Sequence, residues 1–542
     1  MCVTQNVRDT NTEQRTYFES ALYPHGLIHT QDSPALDNTL HDLALDQVFE
    51  TIGKNAPNAA QAFRTPLNTV ADITYRQGMF KGLDHPELRD ATEEFLQGMI
   101  TREQRDHAAA AAHSPYERGL WHLSAVNDYV ATVTRFREKL TRFVPTCAPR
   151  SDCWRLLMEH TVAYCENESF IQLETHASDV RTRLDSLRYN MLIRGAKVTI
   201  APTNDEINLA DAVFDTFQRF RQGDVTDHRT PFRPPTFEHV QGWILDRVAQ
   251  VHEEEFARLV AFTRETSHYI EPLLDRFVDE VRFYLAYLDY VTPMRNGGLS
   301  MSYPKVSVTS KETHLAETWD LALAARLAAK GETAVTNDLS LSGDERILVI
   351  SGPNQGGKTT TARLFGQIHH LAAIGCPVPG HSAQLSLCDK VLTVFEHEEQ
   401  LDTLEGRLGA EIHRLHEVFE QASSRTVIVI NEAFASTAVH DARILTRDVL
   451  QRMSALETVG ACVTFIDELS RLNTHTVSMV SRVDPEDPAI RTFKVERREA
   501  DGRAYARALA KKHHLTKEQI DERLRLLVPA DSFRNGEGGT VR

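Results

Sequence analysis

A run of glycines followed by a lysine and two threonines lies about two thirds of the way along this 542-residue chain. It reads Gly352-Pro353-Asn354-Gln355-Gly356-Gly357-Lys358-Thr359-Thr360 and contains the spacing G-x-x-x-x-G-K-T. Glycines let the backbone turn so that several N–H groups point at phosphate oxygens, and the lysine adds a positive charge for the β- and γ-phosphates. The adjacent threonine hydroxyl is placed to ligate Mg²⁺. The run therefore predicts a nucleoside triphosphate site, with Lys358 on the phosphates and Thr359 on the metal.

A carboxylate with a matching role follows an apolar run further along the chain. Residues 426–430 are apolar apart from Thr426 and are followed directly by Asn431 and Glu432. In nucleotide hydrolases with this loop, an apolar strand ends in an Asp that helps to hold Mg²⁺, and the next Glu orients or deprotonates the attacking water. We therefore predict Glu432 and Lys358 as the catalytic residues. Asn431 joins Thr359 as a metal ligand that adds no negative charge, so weakened Mg²⁺ binding is expected.

Short apolar runs alternate with helical segments in this part of the chain. They cover residues 347–350, 426–430 and 461–465, and the first of them leads directly into the glycine-rich run. Strands separated by helices indicate a parallel sheet with crossover connections. A helix over about 359–374 is expected to direct its positive dipole end at the phosphates. We place an α/β nucleotide-binding domain at 331–542.

The preceding residues have a helical pattern. Apolar residues between 116 and 143 recur at steps of three, four or seven, and Pro145 and Pro149 are expected to end that helix. Further helical patterns cover 151–189, 243–259 and 273–291, and 196–200 reads as a short strand. The expected fold is thus multidomain, with a long-helix region followed by the α/β domain. The expected divisions are an N-terminal segment at 1–65, helical core at 66–330 and nucleotide domain at 331–542.

Composition narrows the class of protein. The chain is 41% hydrophobic, and its 60 Lys and Arg against 76 Asp and Glu give a net charge of −16, which argues against a constitutive nucleic-acid coat protein. No apolar run approaches a membrane span, and the N-terminus lacks a secretory pattern, so a cytoplasmic protein without a membrane partner is expected. The seven cysteines form no C-x-x-C pair, which predicts reduced, mostly buried thiols rather than disulfides or a zinc knuckle.

The glycine-rich run resembles that of the MutS family of DNA mismatch-repair ATPases, within the wider ABC-type ATPases. It differs from the family's G-P-N-M-G-G-K-S-T at two positions. Four further segments are similar to family motifs: Asn337-Asp338-Leu339, residues 373–379, the run from Asn431 to Asp441 that includes Glu432 and Thr437, and Ala504-Tyr505-Ala506. Residues 66–330 resemble the family's lever and clamp region less specifically.

The sequence also departs from the family pattern. We expect the chain to lack the family's mismatch-reading domain, because the N-terminal part is short. Asn431 replaces the magnesium-coordinating Asp, and Phe465 occupies the place of a γ-phosphate-sensing His. The stretch 405–411 lacks the Ser and aromatic residue of the signature that contacts the partner subunit's nucleotide. These departures predict a diverged MutS-like branch.

The resemblance implies a slow P-loop ATPase that uses ATP and Mg²⁺ at the interface of a homodimer. Nucleotide would switch helical arms that hold double-stranded DNA, in mismatch repair or related repair and recombination, with repair proteins as partners and a nucleoid association if the organism is bacterial. Two alternatives stay open: a nucleotide-gated scaffold with little hydrolysis, and an ATPase that acts on branched DNA. A basic run from Arg491 to Lys512 would either contact phosphate backbone or form a solvated helix face.

Overall fold

The computed structural model describes residues 17–26, 34–54, 56–195, 197–203, 239–396, 407–483, 491–499 and 516–527. These residues form two compact units. The sheet unit contains the described residues of Glu19–Lys81 and those from Asp279 onward, and the helical unit contains those of Gly82–Val278 with Tyr17 and Phe18. The divisions at 65 and 330 do not coincide with these units and stay predictions about domain organisation.

The helices of the described residues are numbered here in chain order. They are α1 (Pro34–Asp42), α2 (Leu45–Gly53), α3 (Val70–Leu83), α4 (Pro86–Ala111), α5 (Pro115–Cys147), α6 (Asp152–Glu166), α7 (Glu168–Ser186), α8 (His239–Val251), α9 (Glu253–Glu265), α10 (Pro272–Asn296), α11 (Leu321–Ala328), α12 (Lys358–Ala373), α13 (Arg407–Gln421), α14 (Val439–Ala455) and α15 (Lys517–Leu527). Short 3-10 helices cover Pro57–Phe63 and Asp467–Arg471.

The strands follow the same numbering. They are β1 (Tyr189–Arg194), β2 (Lys197–Pro202), β3 (Met301–Ser302), β4 (Lys305–Ser307), β5 (Thr313–Thr318), β6 (Asn337–Leu341), β7 (Ile347–Ser351), β8 (Val378–Pro379), β9 (Ser382–Ser386), β10 (Val391–Phe395), β11 (Val427–Asn431), β12 (Val459–Val463), β13 (Thr476–Val483) and β14 (Arg491–Arg497).

A six-stranded sheet forms the core of the sheet unit. Its strand order is β10-β11-β12-β7-β13-β14, and every neighbouring pair is parallel except β13 with β14. All residues of β7, β11 and β12 are buried, which explains their almost continuous apolar sequences. Helix α12 packs on this sheet, and α13 and α14 contribute to a core with Ile347, Ile428 and Cys462. The parallel sheet predicted from the apolar runs is confirmed.

A second sheet of the sheet unit has the strand order β4-β9-β5-β6. Strand β5 pairs with β6, so this sheet joins residues on both sides of position 330. Residues near the N-terminus also belong to this unit: α1 packs on β10, and the Leu43 side chain is buried against Gly366 of α12. The nucleotide-domain prediction therefore covers only part of the polypeptide that builds the sheet unit.

The helical unit is built around α4 and α5, which pack along each other after a short connection at 112–114. The rings of Phe95 and Phe136 stack at 4.2 Å between centroids. The long helix predicted over 116–143 is confirmed, but it continues to Cys147 with Pro145 inside its last turn. Because Pro145 lies in the last turn, the backbone hydrogen bond that it cannot donate is lost only near the end of the helix. The strand predicted at 196–200 is found as β2, paired antiparallel with β1.

The sequence also led us to expect no membrane-spanning helix and no disulfides. No helix among them is long and apolar enough to cross a membrane. Their cysteines form no disulfide, and all except the half-buried Cys147 are buried. The prediction that most of the thiols are buried is thus confirmed for this part of the chain.

Candidate nucleotide site

The glycine-rich loop, residues 352–357, connects the central strand β7 to the start of α12. Gly352 and Gly357 have φ of 118° and 95°, values that favour glycine, and Gly357 is the residue before the first turn of the helix. The loop thereby bends back over the N-terminus of α12, where unpaired backbone N–H groups and the helix dipole favour an anion. The strand, loop and helix predicted from the sequence are all present.

The glycine-rich loop is tied to the neighbouring strand β13 by Ser481. Val480 of that strand pairs with Ser351 of β7, and the buried Ser481 hydroxyl donates a 2.5 Å hydrogen bond to the Gly356 carbonyl. A Cβ at Gly356 would overlap Ser481 Oγ far inside van der Waals contact. Packing against Ser481 therefore favours glycine at position 356. Sequence reasoning missed Ser481, because nothing in its local sequence connects it to a loop 125 residues away.

Lys358 begins α12 and directs its ammonium group back into the glycine-rich loop. Its Nζ lies 3.1 Å from each of two loop oxygens, the Gly352 carbonyl and Asn354 Oδ1. It also lies 3.1 Å from Glu432 Oε1, and the two side chains are 4% and 29% exposed. The structure thus brings together the two residues predicted to be catalytic.

Asn431, one of the two predicted metal ligands, lies at the end of β11. Asn431 is the last residue of the strand, and its buried Oδ1 has no hydrogen-bond partner among the described residues. A buried acceptor without a partner is costly, so it fits a site that a cation or a metal-bound water completes. Thr359, the other predicted ligand, is exposed at the second position of α12. The donor set of one amide oxygen, one hydroxyl and the nearby Glu432 carboxylate is compatible with Mg²⁺, which prefers oxygen ligands.

The backbone after β11 is held in an unusual conformation. Glu432 and Phe434 have φ of 52° and 65°, and the Glu432 N–H donates to the Val463 carbonyl of β12 at 3.1 Å. The Phe434 N–H donates to Glu411 Oε2 at 2.8 Å, which links this turn to α13. Positive φ in a bulky residue is strained, and such strain is typical of functional sites. Here it directs the Glu432 carboxylate toward Lys358.

Other residues singled out from the sequence lie around the same sheet edge or outside the described residues. Phe465 follows β12 and is 43% exposed. Thr437 precedes α14, and Asp441 is exposed in its first turn. Residues 405 and 406 of the signature-like stretch and the segment 504–506 lie outside the described residues.

Strand β14 borders the glycine-rich loop. Arg491 Nε donates to the Asn354 carbonyl at 3.1 Å. Asn337 donates through Nδ2 to the Phe493 carbonyl and accepts from the Val495 N–H, so the Asn-Asp-Leu segment holds this strand in place. Because 491–497 form a strand, the interpretation of the basic run as a helix face is wrong there. Its later members, from Arg503, lie outside the described residues.

Fold and loop together define a class: a multidomain protein of mixed helix and sheet, with a glycine-rich loop between the central strand of a parallel sheet and a helix. Residues 348–522 match the family model described as MutS domain V. The chain is 25% identical over 207 residues to a DNA mismatch repair protein MutS from Clostridium kluyveri and 27% identical over 202 residues to an Endonuclease MutS2 from Gemmatimonas aurantiaca. The resemblance to the MutS family stated from the motifs is thus confirmed, and the family-model match extends over residues 348–522.

These matches cover a limited part of each protein. They include 38% and 36% of this chain, and in both relatives 24% of the relative's own length. The chain thus spans about a quarter of the length of the curated relatives it matches. The family-model match includes the glycine-rich loop and β11.

Proposed function

We propose that this chain is a MutS-like ATPase whose domain V is a P-loop domain of the ABC type. The observation that carries the proposal is the contact of Lys358 with both the glycine-rich loop and Glu432, next to the unpartnered Asn431 oxygen. An ammonium group inside a glycine-rich loop at a helix N-terminus is suited to the β- and γ-phosphates of ATP. The reaction proposed is the slow hydrolysis of ATP to ADP and phosphate.

Each side chain has a role in this mechanism. The backbone N–H groups of residues 354–360 bind the phosphates, and Lys358 leaves its pair with Glu432 to neutralise the γ-phosphate. Glu432 is then available to orient the attacking water and accept its proton. Thr359 and Asn431 would hold Mg²⁺, which supplies charge neutralisation on the phosphate oxygens. Because Asn431 is neutral, the chain contributes less negative charge to the metal than an aspartate would, which is consistent with slow turnover.

The proposal includes a homodimer that acts on double-stranded DNA in mismatch repair or related repair, in the cytoplasm and associated with the nucleoid if the organism is bacterial. The glycine-rich loop leaves one face of a bound triphosphate open, and a second copy would cover it. ATP would then change the grip of the helical arms through different contacts in two states. Competition between mismatched, matched and branched duplexes at stated salt identifies the DNA structure preferred, and sedimentation with and without ATP tests the dimer.

Two variants test the ATPase. Lys358→Ala should lose ATP retention, because truncating a buried, paired charge costs about 2–5 kcal/mol. Glu432→Gln should retain ATP but lose about 10²–10⁴-fold in turnover, the usual contribution of a general base. The matched control is Lys330→Ala, which removes an exposed lysine of the same unit. Unchanged ATP retention in Lys358→Ala would remove the basis of the assignment.

A nucleotide-gated scaffold with little hydrolysis is the second candidate. Two observations favour it: Asn431 carries no charge, and the exposed Phe465 offers no hydrogen-bond donor to a γ-phosphate. The Glu432→Gln comparison decides between the two. ATP binding with no hydrolysis in either the parent protein or the variant supports the scaffold, whereas measurable hydrolysis that the variant abolishes supports the ATPase.

A further inference from the structure

Three side chains with different metal-binding chemistry converge in the helical unit, away from the glycine-rich loop in sequence. His85 precedes α4, Glu87 lies in the first turn of α4, and Cys147 is the last residue of α5. A ring nitrogen, a carboxylate oxygen and the Sγ atom of these residues all lie within 4.8 Å of one another. Spacing in the sequence could not reveal this group, because the cysteine is 60 residues from the nearest of its two companions.

The three side chains have no competing ionic partners among the described residues. His85 occupies the N-cap position of α4 without a side-chain capping hydrogen bond, and Cys147 Sγ has only the Thr146 hydroxyl at 3.7 Å. Carboxylates elsewhere on the same helices face cations instead, as in the pairs Arg89–Glu93 and Lys139–Glu94. Glu87 faces an imidazole and a thiol, so the three side chains together offer donor atoms that would bind a cation.

We propose that His85, Glu87 and Cys147 bind a divalent ion of the zinc class. One nitrogen, one carboxylate oxygen and one sulfur match the ligands of Zn²⁺ and Co²⁺, whereas Mg²⁺ and Ca²⁺ take oxygen ligands. Metal–ligand bonds of about 2.0–2.3 Å bring ligand atoms about 3–4 Å apart, so small side-chain rotations complete the site. Binding releases the thiol proton to solvent as the S–metal bond forms, and water takes the fourth position.

The scaffold gives the ion a structural consequence. Residues 112–114 already connect the end of α4 to the start of α5, and the proposed ligands join the start of α4 to the end of α5. The packed rings of Phe95 and Phe136 fix the separation of the two helices between those ends. A bound ion would therefore close the open end of the helix pair and raise its resistance to unfolding.

Cobalt titration of the full chain, after treatment with a chelator, tests the site directly. One equivalent of Co²⁺ should bind and produce a thiolate-to-cobalt charge-transfer band, and Zn²⁺ should displace the bound Co²⁺. Cys147→Ser should lose the band and at least tenfold in affinity, and His85→Ala and Glu87→Gln should each lose affinity while retaining the band. His107→Ala, an exposed histidine of the same helix, is the matched control and should bind as the parent protein does.

A second measurement guards against a variant that fails to fold. Zn²⁺ should slow the modification of Cys147 by a thiol reagent in the parent protein and raise the unfolding temperature of that protein. In a Cys147→Ser variant whose circular dichroism matches the parent, Zn²⁺ should leave the unfolding temperature unchanged. The absence of a charge-transfer band in the parent protein, or its persistence in Cys147→Ser, would overturn the proposal. Equal affinity in the parent, His85→Ala and Glu87→Gln proteins would show an adventitious ion only.

Discussion

The two units of this chain position polar side chains in different ways. In the sheet unit, Asn431 is buried at the end of the fully buried strand β11. Lys358 is buried at the start of α12, next to Gly357, whose φ is positive. In the helical unit, several charged residues form exposed pairs one helical turn apart, such as Arg181–Asp185 and Arg258–Glu254, over an aromatic core. Exposed pairs of this type contribute little to stability, whereas buried polar groups demand a defined partner.

This difference separates what each unit does for the molecule. The sheet unit holds the proposed nucleotide site, whose geometry depends on a few close approaches, and the helical unit holds long elements whose stability depends on apolar packing. Substitutions should therefore divide into those that change unfolding without changing nucleotide binding and those that do the reverse. Four predictions, ordered from the largest expected effect to the smallest, test this division between effects on unfolding and effects on nucleotide binding.

Truncation of the helical core should have the largest effect. Phe136 is buried, and its ring stacks on Phe95 at 4.2 Å and on Phe277 at 5.9 Å. Phe136→Ala should destabilise the helical unit by about 3–5 kcal/mol, as measured by hydrogen exchange of α4 and α5. Ile171→Ala, at an exposed position of α7, should change stability by less than about 0.5 kcal/mol. Loss of ATP retention in Phe136→Ala while α12 stays protected would contradict the division.

Acid should destabilise the sheet unit through two histidines of α12. Burial lowers the pKa of His369 and of His370 to about 4, so the folded state holds both rings neutral. The unfolded chain binds protons at higher pH, so this stability is present above about pH 6.5 and is lost as pH falls toward 4. Each histidine contributes about 3 kcal/mol at most, since one pKa unit corresponds to about 1.36 kcal/mol.

A single variant isolates one of these histidines. His369 Nε2 is buried without a partner among the described residues, so a leucine there loses no hydrogen bond on that side of the ring. His369→Leu should flatten the decline in unfolding free energy between pH 6.5 and 4, as measured by urea titration at several pH values. An unchanged slope would show that other groups control acid unfolding.

The sequence was sufficient for features that depend on neighbouring residues. The glycine-rich loop, its lysine, the strand before it and the Asn431-Glu432 strand end each lie within a few residues of the pattern that predicts them. Lys358 and Glu432 were both predicted to be catalytic, and their contact follows from the fold, because parallel strands bring their carboxyl ends to one edge of a sheet. Burial of apolar runs on both faces made those strands recognisable.

Features that depend on distant residues were not predictable in the same way. Ser481 contacts the loop only because β13 lies beside β7, and the strands β4 and β5 join a sheet with β6 and β9 from a region expected to be helical. The convergence of His85 and Glu87 with Cys147 requires the packing of two whole helices. In each case the tertiary structure brings the partners together, and no local spacing in the sequence indicates that they meet.

Overpacking of the glycine-rich loop should have an intermediate effect confined to the sheet unit. Gly356→Ala should cost about 1–3 kcal/mol and weaken ATP binding, because its Cβ would overlap Ser481 Oγ. Ser481→Ala removes that oxygen, so the double variant should recover part of the loss, a coupling that a double-mutant cycle measures by calorimetry. Strictly additive effects would show that the two residues do not meet, and hydrogen exchange in α4 and α5 should be unchanged throughout.

The smallest effect is expected at Arg491, on the border of the loop. Its Nε donates to the Asn354 carbonyl at 3.1 Å, and a hydrogen bond of this type contributes about 0.5–1.5 kcal/mol. Arg491→Ala should therefore weaken ATP binding about three- to tenfold. Arg482→Ala, which removes an exposed arginine paired with Glu496 at 2.8 Å, is the matched control and should leave ATP binding unchanged.

The same pair of variants distinguishes a loop-supporting arginine from one that binds DNA. An arginine on a phosphate of the duplex would lower the salt dependence of DNA binding by about one counterion when removed, and would leave the affinity for ATP unchanged. The contact with Asn354 leads us to expect the opposite result, with ATP affinity reduced and the salt dependence intact. A change in the salt dependence alone would move Arg491 from the nucleotide site to a DNA-binding surface, because its contact with the loop would then contribute nothing to the binding of ATP.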